Sequence, residues 1–265
     1  MTKILIIESN STELIKDNAH LGSRGNAEGY GDALIACQAD LNIQIATPYS
    51  PEFTIDSLQL DDIDGVVFTG SGVEWSVSDK KAKPLRQSME KVLTVQKPIL
   101  GSCNGMQLAC VVLGGRIHKS PNGMELGVAR DIQLTERGSQ HALHEGRRKM
   151  FSCLCIHRDE VAELPSGAEL TATNQHSEVQ AMVYEQSGQS IWGIQYHPEG
   201  TPSRFADIVD SPGGLFSSGA SLANDLRKVG SNPVGEAANR LGAREDDLAP
   251  SILRTELYNW LNKIR

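Results

Sequence analysis

The 265-residue chain has no apolar run approaching the ~20 residues that a membrane-spanning helix needs, so no bilayer segment is expected. It also lacks an excess of basic residues. Its 25 Lys and Arg stand against 33 Asp and Glu, a formal net charge of −8, which argues against a nucleic-acid or anionic-membrane footprint. The five cysteines, Cys37, Cys103, Cys110, Cys153 and Cys155, have no disulfide-framework spacing, and their odd number suits a reducing compartment. No signal-peptide cleavage site follows Met1-Thr2-Lys3-Ile4-Leu5-Ile6-Ile7-Glu8, which reads as a buried first strand. A cytoplasmic location is therefore expected. With no Gly-x-x-x-x-Gly-Lys and no dinucleotide fingerprint, nothing points to a nucleotide, and no cofactor is expected.

What the chain does have is a strand–helix alternation. Residues 3–8 read as a strand, followed by a loop rich in Gly, Asn and Ser from Gly22 to Gly31. A helix is then expected from Tyr30 to Asp40 and a second strand from Leu41 to Thr47. A third apolar strand begins at Ile63 and ends in the small-residue run Thr69-Gly70-Ser71-Gly72, a loop able to aim backbone N–H groups at an anion. Leu85, Met89, Val92 and Leu93 give a helix over 83–96. This order predicts an α/β fold with a mostly parallel central sheet covered by helices on both faces.

The helix over 83–96 leads into the stretch around which the chain is organised, an apolar strand running into Gly101-Ser102-Cys103-Asn104-Gly105 and then a helix. Glycine on each side lets the backbone bend tightly and lets the helix pack close to the strand, holding the Cys103 thiol exposed at a strand–helix elbow. The orphan N–H groups of the helix start favour the attacking thiolate.

Beyond Gly114-Gly115 the segments shorten. Strands are expected over 128–134, 151–156, 170–174, 179–184 and 190–196, with a mobile polar loop over 136–149 whose Arg147-Arg148-Lys149 reads as a solvated basic surface. Cys153-x-Cys155-x-His157, with His141 and His144 nearby in sequence, offers metal-ligand types, but a half-buried strand followed by a polar loop accounts for them, so no metal is expected. The last strand ends in His197-Pro198-Glu199. On an extended chain residues two apart share a side, so a histidine able to act as base and acid can lie beside a carboxylate that fixes its tautomer.

Together these motifs resemble the class I glutamine amidotransferases, in particular their GMP-synthase-like branch. Gly101-Ser102-Cys103-Asn104-Gly105-Met106-Gln107 is similar to the family's Gly-x-Cys-x-Gly-x-Gln, and Gly193-Ile194-Gln195-Tyr196-His197-Pro198-Glu199 to its second signature. Phe68-Thr69-Gly70-Ser71-Gly72 stands where the family has its oxyanion loop, with Gly72-Val73-Glu74-Trp75 where a proline is common. Softer matches lie at His157-Arg158-Asp159-Glu160-Val161 and from Ala172 to Ala181.

The resemblance implies that Cys103 is the nucleophile, His197 the acid–base and Glu199 its orienter. It places oxyanion donors at Asn104 and in the Gly70, Ser71, Gly72 loop, and it gives Gln107, His176 and Ser177 to the glutamyl head. The implied substrate is a small γ-glutamyl compound, hydrolysed through a γ-glutamyl thioester. The alternative is a glutaminase subunit delivering ammonia to a separate ATP-dependent synthetase; a non-catalytic regulatory protein is a third reading, against which the intact triad counts. Trp75 and the Gly22 to Gly31 loop are candidate walls for a leaving amine. Residues 1–200 form the expected catalytic domain and 201–265 a helical extension packed on it, broken from it at Ser211-Pro212-Gly213-Gly214.

Overall fold

A computed structural model gives the architecture, and the structure describes residues 1–20, 25–210 and 219–265. The break expected at residues 211–214 lies outside the described residues, as do residues 22–24 of the expected first loop. The strands are β1 (Lys3–Ile7), β2 (Asn42–Ala46), β3 (Gly65–Phe68), β4 (Ile99–Ser102), β5 (Arg116–Lys119), β6 (Glu125–Leu134), β7 (Met150–His157), β8 (Asp159–Glu163), β9 (Ala168–Thr173), β10 (Ala181–Tyr184) and β11 (Ile191–Ile194). The helices are α1 (Thr12–His20), α2 (Asn26–Cys37), α3 (Lys83–Leu93), α4 (Asn104–Val112), α5 (Glu136–Gln140), α6 (Pro202–Val209), α7 (Ala220–Ser231), α8 (Glu236–Leu241), α9 (Pro250–Leu253) and α10 (Thr255–Lys263).

The central sheet runs β2-β1-β3-β4-β11-β10-β9-β6-β7, with β5 and β8 forming a separate pair. From β2 through β11 every pairing is parallel, and the four strands beyond β11 add on antiparallel. Both faces of the parallel part are covered, which is why Ile4-Leu5-Ile6-Ile7 is a continuous apolar run rather than an alternating one. Successive side chains still go to opposite faces. Ile4 and Ile6 join Tyr30, Leu34, Leu257 and Trp260 in one cluster, while Leu5 and Ile7 join Leu85, Met89 and Met106 in the other.

Helix α2 begins at Asn26, four residues before the expected start, so Gly29 and Gly31 lie inside a helix rather than a loop. At Gly29 the lack of a side chain serves packing, since a Cβ there would fall on the Arg204 guanidinium. The stretch 136–149 is likewise built rather than mobile. Thr135 caps α5 by accepting from the Gly138 N–H at 3.0 Å, a 3₁₀ turn spans Ala142–His144, and Asn259 of α10 donates to the carbonyls of Leu143 and Glu145.

Of the basic trio, Lys149 is exposed and Arg148 partly so, but Arg147 is not solvated. Its side chain is 1% exposed and grips Glu256 of α10 through Nε at 2.8 Å and Nη2 at 2.6 Å, while Arg148 pairs with Glu245, Asp246 and Asp247. Glu256, fully buried, also accepts from the Tyr196 hydroxyl at 2.9 Å and has His144 at 3.5 Å. Burial alone would raise the Glu256 carboxyl, but the charge and hydrogen bonds of Arg147, aided by His144, hold it down at about 2. A carboxyl lowered from 4.5 contributes stability that is complete above that value and is lost as the pH falls toward 2.

Removing this carboxylate leaves a guanidinium buried without its partner. Glu256→Ala is expected to lower the unfolding free energy at neutral pH by about 3–5 kcal/mol in urea denaturation, and to flatten the acid limb of stability. A loss below about 1 kcal/mol, the usual worth of an exposed pair, would show that Arg147 is not buried by α10.

Candidate active site

Strands β3, β4 and β11 are neighbours and parallel, so the segments leaving them emerge together at the carboxyl edge of the sheet, where open α/β folds bind ligands. Register sets them level: Phe68 pairs with Gly101 and Ile194 with Ser102, and the Cys103 N–H donates to the Ile194 carbonyl at 2.7 Å. From β3 comes the Gly70 loop, from β4 Cys103, and from the segment after β11 His197 and Glu199.

Cys103 occupies the residue before α4 with φ 50° and ψ −103°, in the left-handed half of backbone space that a side chain disfavours. Close packing imposes this turn. A Cβ on Gly105 would stand 2.2 Å from the Phe68 carbonyl oxygen, and one on Gly101 2.7 Å from the Gly105 carbonyl carbon, so the helix lies almost directly against β3 and β4. The chain must therefore reverse sharply at the single residue between strand and helix. The Cys103 thiol, 5% exposed, donates to the Ile156 carbonyl at 3.6 Å, and the first N–H groups of α4, beginning with Asn104, have no intrahelical partner.

His197 is 7% exposed, and its Nδ1 lies 2.7 Å from Glu199 Oε1. Its Nε2 is buried, faces the Cys103 thiol and has no hydrogen-bond partner at ordinary length among the described residues. Burial lowers the imidazole's proton affinity, but the Glu199 charge and the neighbouring Cys103 sulfur outweigh it and push the pKa from 6.5 up to about 10. Glu199 is itself held by the Ser102 hydroxyl, which donates to Oε2 at 3.3 Å and lies the same distance from the Tyr196 carbonyl. Gly70 closes the group: a Cβ there would stand 2.8 Å from His197 Cε1 and 3.6 Å from Cys103 Cβ.

The 70–72 loop is pinned by the segment after β1 and by the start of α2. Asn10 Oδ1 accepts from the Ser71 hydroxyl at 3.0 Å and from the Gly72 N–H at 2.9 Å, and Asn26 Nδ2 donates to the Gly70 carbonyl at 3.0 Å. Of the three loop N–H groups expected to face an oxyanion, that of Gly72 is thus taken by Asn10; of the other two residues, Gly70 is the one that lies against the His197 and Cys103 side chains. Gln107 borders the nucleophile but spends its amide on the Asp159 carbonyl at 2.6 Å and Gln195 Oε1 at 3.1 Å. His176 and Ser177 lie farther along. The His176 ring meets His157 edge-on at 5.7 Å, and Ser177 donates to Glu160 within a buried polar network that joins Asn174, Gln180, Glu125 and His157.

Cys153 and Cys155 are fully buried, their thiols pushed up by burial, and His157 is engaged by Glu125 at 2.8 Å and the Asp159 carbonyl at 3.2 Å. Trp75 packs edge-on against Tyr49 at 6.1 Å with Lys81 Nζ 4.9 Å above its ring. Sequence reading missed Ser102, Asn10 and Asn26. One sign of Asn10 was available: Glu8-Ser9-Asn10-Ser11 is a polar run at the carboxyl end of an otherwise apolar strand, and all four residues are buried.

The profile of the family described as Glutamine amidotransferase class-I matches residues 27–210. The chain belongs to this family. Among its curated relatives, the gamma-glutamyl-L-1-hydroxyisopropylamide hydrolase of a Pseudomonas species is 33% identical over 208 residues, covering 77% of this chain and 67% of that protein. A glutamine-hydrolysing GMP synthase subunit from Saccharolobus solfataricus is 32% identical over 158 residues, 60% of this chain and 76% of the relative. In solved structures, a glutamine amidotransferase from Thermotoga maritima superposes with a TM-score of 0.67 at 18% identity, covering 99% of this chain and 97% of that one, a likeness of fold. As expected from the strand–helix alternation and the elbow, the fold is the family's α/β fold with helices on both faces of the sheet.

The strain at Cys103 can be measured separately from chemistry. Cys103→Ala keeps the Cβ at φ 50° and Cys103→Gly removes it, so the glycine variant is expected to be more stable than the alanine variant by about 1 kcal/mol in thermal or urea unfolding. Equal stabilities, or the reverse order, would mean that the elbow stores no strain at this residue.

Proposed function

We propose that this amidotransferase-family enzyme hydrolyses γ-glutamyl amides on its own through Cys103, His197 and Glu199. The observation that carries the proposal is the convergence of a thiol and an imidazole on Gly70 at one sheet edge, with Nδ1 of the imidazole bound to the Glu199 carboxylate at 2.7 Å and Nε2 left for the sulfur. In this reading the Cys103 sulfur attacks the γ-carbonyl carbon, and the N–H groups of Asn104 and Gly70 take the developing oxyanion. The His197 imidazolium then protonates the leaving nitrogen, the C–N bond breaks, and a γ-glutamyl thioester remains. Water, deprotonated by the now neutral His197, attacks the thioester carbonyl; the C–S bond breaks, glutamate leaves, and the Cys103 thiolate and His197 imidazolium are restored. Glu199 holds the imidazole in place and stabilises its charged form without taking the proton. Gln107, His176 and Ser177 shape the far wall for the glutamyl head, and Trp75 with the start of α2 bounds the leaving amine.

The Pseudomonas hydrolase supports the stand-alone reading, since its match spans 77% of this chain. The Saccharolobus protein supports the second reading, in which the chain supplies ammonia to a separate synthetase. Residues 201–265 are read as a helical extension of the catalytic body, tied to it through Glu256. A cytoplasmic setting fits the free cysteines, and no helix among the described residues is long and apolar enough to cross a membrane.

Incubating the purified chain, without partner or ATP, with glutamine and a panel of γ-glutamyl alkyl- and arylamides is expected to release glutamate, faster from an alkylamide than from glutamine. Silence on every substrate, reversed by a co-purifying synthetase and ATP, would favour the second reading. The pH profile follows from His197. A pKa raised to about 10 keeps the imidazolium protonated through neutral pH, so kcat/KM is expected to fall only as the pH rises toward that value. Glu199→Gln removes the charge that opposes burial and should move this alkaline limb to lower pH while leaving measurable turnover, whereas His197→Ala loses almost all of it. An alkaline limb unmoved in Glu199→Gln would remove the carboxylate from the site.

A further inference from the structure

The turn between β7 and β8 carries a guanidinium that the chemistry above does not use. Residue 156 supplies the carbonyl that receives the Cys103 thiol, and residue 159 supplies the carbonyl that receives Gln107, so the turn between them forms one wall of the cleft at the nucleophile. Arg158 reaches from this wall to the opposite one. Its Nη1 donates to the Glu74 carbonyl at 2.8 Å, just past the Gly70 loop, while Nε and Nη2 grip the two oxygens of Asp159 at 2.9 and 3.1 Å. The side chain is 35% exposed, so the guanidinium is open to solvent and not sealed beneath the turn.

A guanidinium has five N–H donors in a rigid plane. Three are engaged by Asp159 and Glu74, which fix the plane, and one on each Nη remains beyond these bonds. A γ-glutamyl compound presents a carbonyl at one end and an α-carboxylate at the other, and a substrate whose γ-carbon lies at Cys103 extends its charged end along a wall of this cleft. Planar, forked donors held by a partner carboxylate suit the bidentate binding of a second carboxylate. We infer that Arg158 is the anchor for the α-carboxylate of the glutamyl substrate and so sets specificity for a free α-carboxylate. This inference rests on the γ-glutamyl reading of the site. The Asp159 side chain then has a defined task, presenting the guanidinium edge-on, and Asp159 is a positioning residue for Arg158.

The test compares two substrates in wild type, Arg158→Met and Arg158→Lys: a γ-glutamyl arylamide with a free α-carboxylate, and the same compound with that group converted to the neutral α-carboxamide. Hydrogen bonds to charged groups have a size that predicts a preference of about 10–100-fold in kcat/KM for the carboxylate in wild type. Arg158→Met should abolish the preference by raising KM for the carboxylate substrate, with the carboxamide substrate nearly unaffected; Arg158→Lys, charged but without the fork, should keep part of it. Because the readout is a ratio on one preparation, partial misfolding does not change it. A preference unchanged in Arg158→Met, or both substrates slowed alike, overturns the inference and leaves Arg158 as a strap between two loops. Turnover of glutamine or other γ-glutamyl amides with no preference even in wild type also overturns it, while sparing the proposed reaction. Failure of wild type on every γ-glutamyl compound overturns that reaction, and the inference with it.

Discussion

The near-contact of Gly105 with the Phe68 carbonyl governs the rest of the site. A helix seated 2.2 Å from strand backbone, measured from where a Cβ would be, leaves room for no side chain, and its approach forces the strand-to-helix reversal onto Cys103 alone. The consequences run outward. The reversal tips the thiol to the carboxyl edge of the sheet, the orphan N–H groups of α4 point the same way, and the parallel register of β3, β4 and β11 delivers Gly70 and His197 to that level. The site rests on backbone geometry, with one thiol and one histidine–carboxylate pair added to it.

Electrostatics completes what geometry begins. An imidazole as buried as His197 would ordinarily be neutral, and only the carboxylate at 2.7 Å together with the sulfur keeps it charged. The supporting hydroxyl comes from Ser102, the residue before Cys103, so the elbow holds the thiol directly and the Glu199 carboxylate through Ser102. Tyr196, the residue before His197, is in turn bonded through its hydroxyl to Glu256, so α10 is tied to the segment after β11 that carries His197.

Features whose cause is local were legible in the sequence. The elbow, the His-Pro-Glu segment, the buried β1, the oxyanion strand β3 and the helices at the end of the chain each carry their own signal in glycine spacing, alternation or helical periodicity. Features whose cause lies far along the chain were not. Arg147 looks solvated because its partner, Glu256, is 109 residues away, and Gly29 looks like a loop glycine because the side chain it makes room for, Arg204, lies on α6. Helices α1 and α6 and the short strands β5 and β8 escaped as well, because packing rather than propensity decides them. In the site, Asn10 and Asn26 act through backbone groups of the 70–72 loop, a role that residue type alone does not announce.

Acid quenching during turnover of a γ-glutamyl arylamide, followed by proteolysis and mass spectrometry, tests the central claim most directly. A γ-glutamyl group on the peptide containing Cys103, gained on mixing, lost as substrate is exhausted and absent from Cys103→Ala, is the predicted result. Steady glutamate release with Cys103 unmodified at every time point, or with full turnover in Cys103→Ala, would contradict it.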